Sequence, residues 1–88
     1  MKARPPETVD VERVQTGVRL EKRLLKVMKG LAEYKDMTLG DLIEGIVLHA
    51  FEGKPAFSGE TLRKVEELKK IYELKLDARS SHRLKERS

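Results

Sequence analysis

Residues 14–20 read V-Q-T-G-V-R-L, and this stretch decides the expected fold. Its side chains alternate between apolar and polar, which is the period-two pattern of a β-strand with one packed face and one wet face. No second strand-like segment follows, and a lone strand cannot satisfy its own backbone hydrogen bonds. We therefore expect this strand to find a pairing partner outside this copy of the chain. The apolar face consists of Val14, Thr16, Val18 and Leu20, and the polar face of Arg13, Gln15, Gly17 and Arg19.

Two helices are predicted after this strand. Apolar residues recur every three or four positions over about residues 21–35, the spacing of a helix with one buried face. A second helix is expected to begin after Thr38, because Asp41 three positions later completes a capping pattern. Gly53 and the proline two residues beyond it predict that this helix ends near Phe51.

A third helix is predicted between Ser58, a favourable N-cap, and about Leu74. Two residues of the second helix suggest what this third helix contacts. Leu48 falls among acidic residues on the polar side, so we expect the third helix to cover it. Gly45 is unfavourable inside a helix, which predicts that a neighbour packs closely against it.

The composition indicates a small intracellular protein that gains stability by oligomerisation. The chain has 88 residues, no cysteine and a net charge of +4, and a core of that size is marginal without disulfides or a partner. The first residues, M-K-A-R-P-P-E, do not form a secretory signal, and no apolar run reaches the roughly 20 residues needed to span a bilayer. We therefore expect a cytoplasmic location.

The charge is unevenly distributed along the chain. Residues 1–53 contain equal numbers of basic and acidic side chains, and residues 54–88 supply the whole excess of basic side chains.

The sequence indicates no catalytic chemistry. His49 lies in a predicted helix and His82 in a polar tail, and neither belongs to a recognisable catalytic, metal-binding or phosphate-binding motif. We expect no enzymatic activity, no cofactor and no bound metal.

The order of elements resembles the ribbon-helix-helix DNA-binding family over about residues 13–52. The resemblance is carried by V-R-L running into E-K-R-L-L-K-V-M-K-G-L-A and then by T-L-G-D-L-I-E-G-I. It implies a mainly α fold in which the N-terminal strands of two chains pair antiparallel in an intertwined homodimer. The domains would then be an extended arm (1–12), the ribbon-helix-helix domain (13–53), a C-terminal helix packing on it (54–76) and a flexible basic tail (77–88).

The resemblance also implies a homodimeric transcriptional repressor whose two-stranded ribbon enters the major groove of DNA. Arginine and glutamine suit base edges, whereas the N-terminus of a helix suits phosphate. Gly17 departs from the expected pattern, because it holds the central reading position without a side chain. The implied base contacts are Arg13, Gln15, Gly17 and Arg19, and the implied phosphate contacts are Lys22, Arg23, Thr38, Leu39 and Gly40.

Two other functions remain open from the sequence. The chain could be an autoregulating antitoxin whose residues 54–88 bind a toxin, although a capped third helix is more ordered than such tails tend to be. It could also be a dimeric protein-interaction scaffold without DNA binding. The missing side chain at Gly17, the neutral charge of residues 1–53 and the acidic arm keep this last alternative open.

Overall fold

The computed structural model describes residues 8–87, which contain three α-helices and one short 3-10 helix. Most of the predicted arm, residues 1–7, lies outside the described residues. The helices are α1 (Lys22–Tyr34), α2 (Leu39–Phe51) and α3 (Gly59–Tyr72), followed by a 3-10 helix at Ala78–Ser80.

The predicted ribbon-helix-helix fold class is wrong for this structure. Residues 8–87 contain no β-strand, and residues 8–21 run without helix, turn or bend before α1 begins. A strand exists only when a second extended segment accepts and donates its backbone hydrogen bonds, and the described part of the chain offers no such segment. The architecture is therefore three helices preceded by an irregular segment.

The helices begin where the sequence pattern predicts, and each start has the same local cause. The side chain before each helix accepts a hydrogen bond from the backbone N–H three residues later, which satisfies one of the free donors of the first turn. The distances are 2.7 Å for Glu21, 3.0 Å for Thr38 and 3.2 Å for Ser58. The predicted end of α2 is also confirmed, because Gly53 has a φ of +68° and the N–H of Lys54 reaches back to the carbonyl of His49 at 2.9 Å.

Helix α1 is the central element and packs against both α2 and α3. Leu31 and Ala32 of α1 are buried against Leu42 of α2. Their apolar surroundings come from all three helices and the two connections between them, so one small core joins the three helices. The partly buried side chains around this cluster are Met28, Met37, Ile46, Phe57, Val65 and Leu68.

The contact between α1 and α3 is close and carries polar links at its edge. A Cβ placed on Gly30 would lie 3.1 Å from Leu68, so the backbone of α1 approaches α3 where a side chain would crowd. At the edge of this contact, Lys64 of α3 lies 4.6 Å from the centre of the Tyr34 ring, within the range of a cation–π interaction. These contacts fix α3 against α1.

Two predictions about α2 are wrong. Leu48 is 63% exposed, because α3 packs on α1 and leaves this side of α2 uncovered. No neighbouring atom of the described chain lies within 4 Å of a Cβ built on Gly45, so close packing does not explain that glycine here. The outer side of α2 therefore exposes apolar surface, including Val47, Leu48 and Phe51.

We expect Leu31→Ala to lower the free energy of unfolding by about 2–5 kcal/mol, because it removes packing at the point where the helices meet and leaves a cavity. Ile71→Ala is the matched control. Its side chain is 67% exposed, so we expect a change within about 0.5 kcal/mol. Urea unfolding followed by circular dichroism at one fixed protein concentration measures both values. Equal losses for the two variants would contradict the described core.

Candidate functional site

The predicted base-contacting residues lie in the segment 13–20, called here the lead segment. Every residue of the lead segment is exposed. The segment runs beside the N-terminal half of α2, and a shallow open groove separates the two. Residues of the lead segment and the first turns of α2 line this groove together, including Gln15, Gly17, Thr38, Leu39 and Gly40. The structure thus brings most of the predicted base-contacting and phosphate-contacting residues into one place.

Arg13 joins the lead segment to α2 by ion pairs. Its guanidinium donates two hydrogen bonds to the carboxylate of Glu44, at 2.9 and 2.8 Å, and a third to Asp41 at 3.1 Å. The hydrogen bond and charge of Glu44 raise the pKa of Arg13 above its usual range, and Arg13 in turn lowers the pKa of Glu44. Arg13 is therefore a charged group that is already partnered by two carboxylates.

The N-terminus of α2 has features that favour anion binding, but two carboxylates beside it disfavour an anion. Leu39 and Gly40 are the first residues of the helix, where backbone N–H groups and the helix dipole favour negative charge. The hydroxyl of Thr38 is engaged as the cap. Asp41 and Glu44 place negative charge beside this turn, and Arg13 offsets part of it. A phosphate here would have to lie against an environment that is close to neutral.

Arg19 points to a different part of the molecule. Its guanidinium forms a two-point ion pair with Glu86 near the end of the described chain. Both side chains are mostly exposed, so water screens the pair and its contribution to stability is small. Arg19 therefore remains accessible to a ligand that competes with Glu86. Counting charges along the sequence does not reveal this partner, because such counts do not say which groups meet.

Gly17 and Gln15 are open to solvent. Apart from its two chain neighbours, no atom of residues 8–87 lies within 4 Å of a Cβ built on Gly17, and its φ is not in the left-handed region. Gln15 is exposed and lines the groove beside α2. The central position of the lead segment therefore offers only backbone, and the side chains that could read a base lie on either side of it.

Lys22 and Arg23 occupy the first turn of α1, and both are exposed. Arg23 lines a second shallow groove with Lys75 and Lys85, which come from the segment after α3. The structure therefore divides the predicted phosphate contacts into two groups. Thr38, Leu39 and Gly40 lie at the start of α2, whereas Arg23 faces the C-terminal segment.

The chain matches no family model, no curated protein and no solved structure. Among residues 8–87, no group of three or more histidine, aspartate or glutamate side chains is placed to hold a metal ion. None of the helices described is long and apolar enough to cross a membrane.

The ion pair between Arg13 and Glu44 predicts a pH dependence of stability. A lowered pKa means that the folded state binds the Glu44 proton more weakly than the unfolded state does, so the stabilisation is present above the ordinary glutamate pKa of about 4.3 and is lost as the pH falls through the lowered value. We expect Glu44→Gln to reduce stability relative to the wild type at about pH 7 and to differ little from it at about pH 3. Urea unfolding at both values measures this. A difference that is the same at both would contradict the ion pair.

Proposed function

We propose that this protein is a homodimeric, sequence-specific DNA-binding transcriptional regulator, a repressor, that reads base edges with its lead segment. The observation that carries the proposal is the exposure of Gln15 and Arg19 on a segment with no regular structure, next to the basic first turn of α1. Arginine pairs in two-point fashion with guanine O6 and N7, and glutamine does so with adenine N6 and N7. A cytoplasmic location is part of this proposal.

The phosphate backbone is bound in this proposal by two sets of groups. Lys22 and Arg23 supply positive charge beside Arg19. Thr38, Leu39 and Gly40 supply the N-terminus of α2, where backbone N–H groups point outward. The nearby carboxylates of Asp41 and Glu44 weaken that second set, and the guanidinium of Arg13 offsets them. We therefore expect Lys22 and Arg23 to contribute more of the salt-dependent affinity.

Exposed apolar side chains support the homodimer. Val14 and Val18 of the lead segment are 80% and 72% exposed, and Phe51 of α2 is 80% exposed. Apolar surface on both elements is more than scattered single residues, and such surface commonly marks a contact with another protein. A second copy of the chain is a suitable partner, since a two-fold dimer would present two lead segments to a palindromic DNA site.

Arg19→Ala tests base reading. We expect it to weaken binding to a selected genomic fragment by about 1–3 kcal/mol and to reduce the preference for that fragment over a random-sequence duplex. Arg63→Ala is the control, because Arg63 is an exposed arginine near the start of α3. Fluorescence anisotropy at two salt concentrations measures both variants. An equal effect of the two variants would contradict a reading role for Arg19.

The dimer is tested by mass. We expect light scattering at micromolar concentration to give twice the 10.1 kDa mass of one chain. Leu48→Asp should shift the protein toward the single-chain mass, because it places a charge on the exposed apolar side of α2. Ile71→Asp, on the exposed side of α3, should leave the mass unchanged. A single-chain mass for the wild type would contradict the proposed dimer.

A second candidate function is a dimeric protein-interaction scaffold without DNA binding. The contacts of Arg13 favour it, because this arginine is held by Asp41 and Glu44 and their carboxylates lie where a phosphate would bind. The scaffold keeps the dimer and has no affinity for DNA. Undetectable binding to a random-sequence duplex at low salt, together with a dimeric mass, would select it.

A further inference from the structure

The segment that follows α3 is strongly basic and lies beside the start of α1. Residues 75–87, called here the tail segment, contain five lysines and arginines and two acidic residues. The ion pair between Glu86 and Arg19 brings the tail segment against the lead segment, although 67 residues separate the two in sequence. A groove lined by Arg23, Lys75 and Lys85, and also by the carboxylates of Glu21 and Glu73, continues this contact onto α1. The tail segment is therefore adjacent to the proposed reading surface.

Several local contacts give the tail segment a definite course. Glu73 ends α3 in the left-handed conformation, with a φ of +57°, and the chain turns there. Leu74 is then buried, which ties the start of the segment to the helices. Asp77 caps the 3-10 helix that follows, and the guanidinium of Arg83 donates to the carbonyl of Arg79 at 3.3 Å. The basic side chains thus stand on a folded turn.

The cations of this turn differ in how they are partnered. Arg79 pairs with Asp77 at 2.9 Å. Within residues 8–87, no carboxylate forms an ion pair with Lys75, Arg83 or Lys85. Lys75 and Arg83 line one side of an open depression with Arg79, and all three are exposed. These unneutralised charges are available to a large anion at the surface.

We propose that the tail segment is a second surface for the DNA backbone, with Lys75, Arg83 and Lys85 contacting phosphates next to Arg23. This inference rests on the proposed function, because it extends the same binding surface. Duplex DNA fits the site better than a small anion does, since the cations lie along an open surface and Glu86 of the same segment contacts Arg19. In the absence of DNA, Glu86 occupies Arg19, and a DNA base or phosphate displaces that carboxylate on binding.

Salt dependence tests the surface directly. Each phosphate contact releases counterions, so the removal of one such contact lowers the slope of log affinity against log salt by about one. We expect the double variant Lys75→Gln, Arg83→Gln to lower the slope by about two for each copy that binds. The ratio of its affinity to that of the wild type should then rise about tenfold per copy between about 50 and 200 mM salt, and so about a hundredfold for the proposed dimer. The control is the double variant Lys54→Gln, Arg63→Gln. It removes one lysine just after α2 and one arginine in the first turns of α3.

Glu86→Gln provides a second readout of opposite sign. It removes the carboxylate that holds Arg19, so we expect tighter binding to a random-sequence duplex than the wild type shows. All these residues are exposed, and circular dichroism melting confirms that each variant is folded.

The outcomes separate this inference from the proposed function. A wild type that binds, with an unchanged slope in the Lys75 and Arg83 variant, would overturn the tail surface and leave the repressor proposal standing. A slope lowered equally by the control would also overturn it. A wild type that binds no duplex at low salt would overturn both proposals.

Discussion

The packing of α1 between α2 and α3 is the contact on which the rest of the structure depends. Leu31 and Ala32 of α1 are among the few side chains that the chain buries almost completely. An 88-residue chain without cysteine can bury only a small apolar core, so the contacts of α1 account for most of the apolar surface that the helices bury. Whatever does not touch α1 is left at the surface. That group includes the lead segment and the outer side of α2 with Val47, Leu48 and Phe51, and it is where the proposed partners bind.

The helices could be predicted from the sequence because their signals are local. A side-chain oxygen at Thr38 or Ser58 meets a backbone N–H three residues away, and the apolar spacing repeats within each helix. The strand prediction was wrong because no local signal of this kind decides whether a strand forms. Alternation at residues 14–20 describes which side chains are apolar, but strand formation depends on a hydrogen-bonding partner elsewhere. The described chain supplies none, so the alternating pattern remains without a strand.

The candidate site could be predicted only in part from the sequence. Exposure of Gln15 and Arg19 follows from their polar side chains, and the cap at Thr38 follows from its neighbours. The ion pairs do not follow, because Arg13 meets Glu44 across 31 residues and Arg19 meets Glu86 across 67. The basic excess of residues 54–88 was the available signal for the tail segment. It indicated the amount of charge but not its position beside α1.

The open space around Gly17 affects how mutation could change the DNA sequence that the proposed regulator prefers. The backbone there is not in the left-handed conformation that favours glycine, and a new Cβ would meet no neighbour in the described chain. Substitution at this position therefore costs the fold little, while it adds a functional group at the centre of the proposed reading segment. Most residues that touch DNA are constrained by both stability and recognition. In the proposed function, recognition constrains position 17 more than the fold does, so a single mutation there would change the sequence preference without a compensating change in the core.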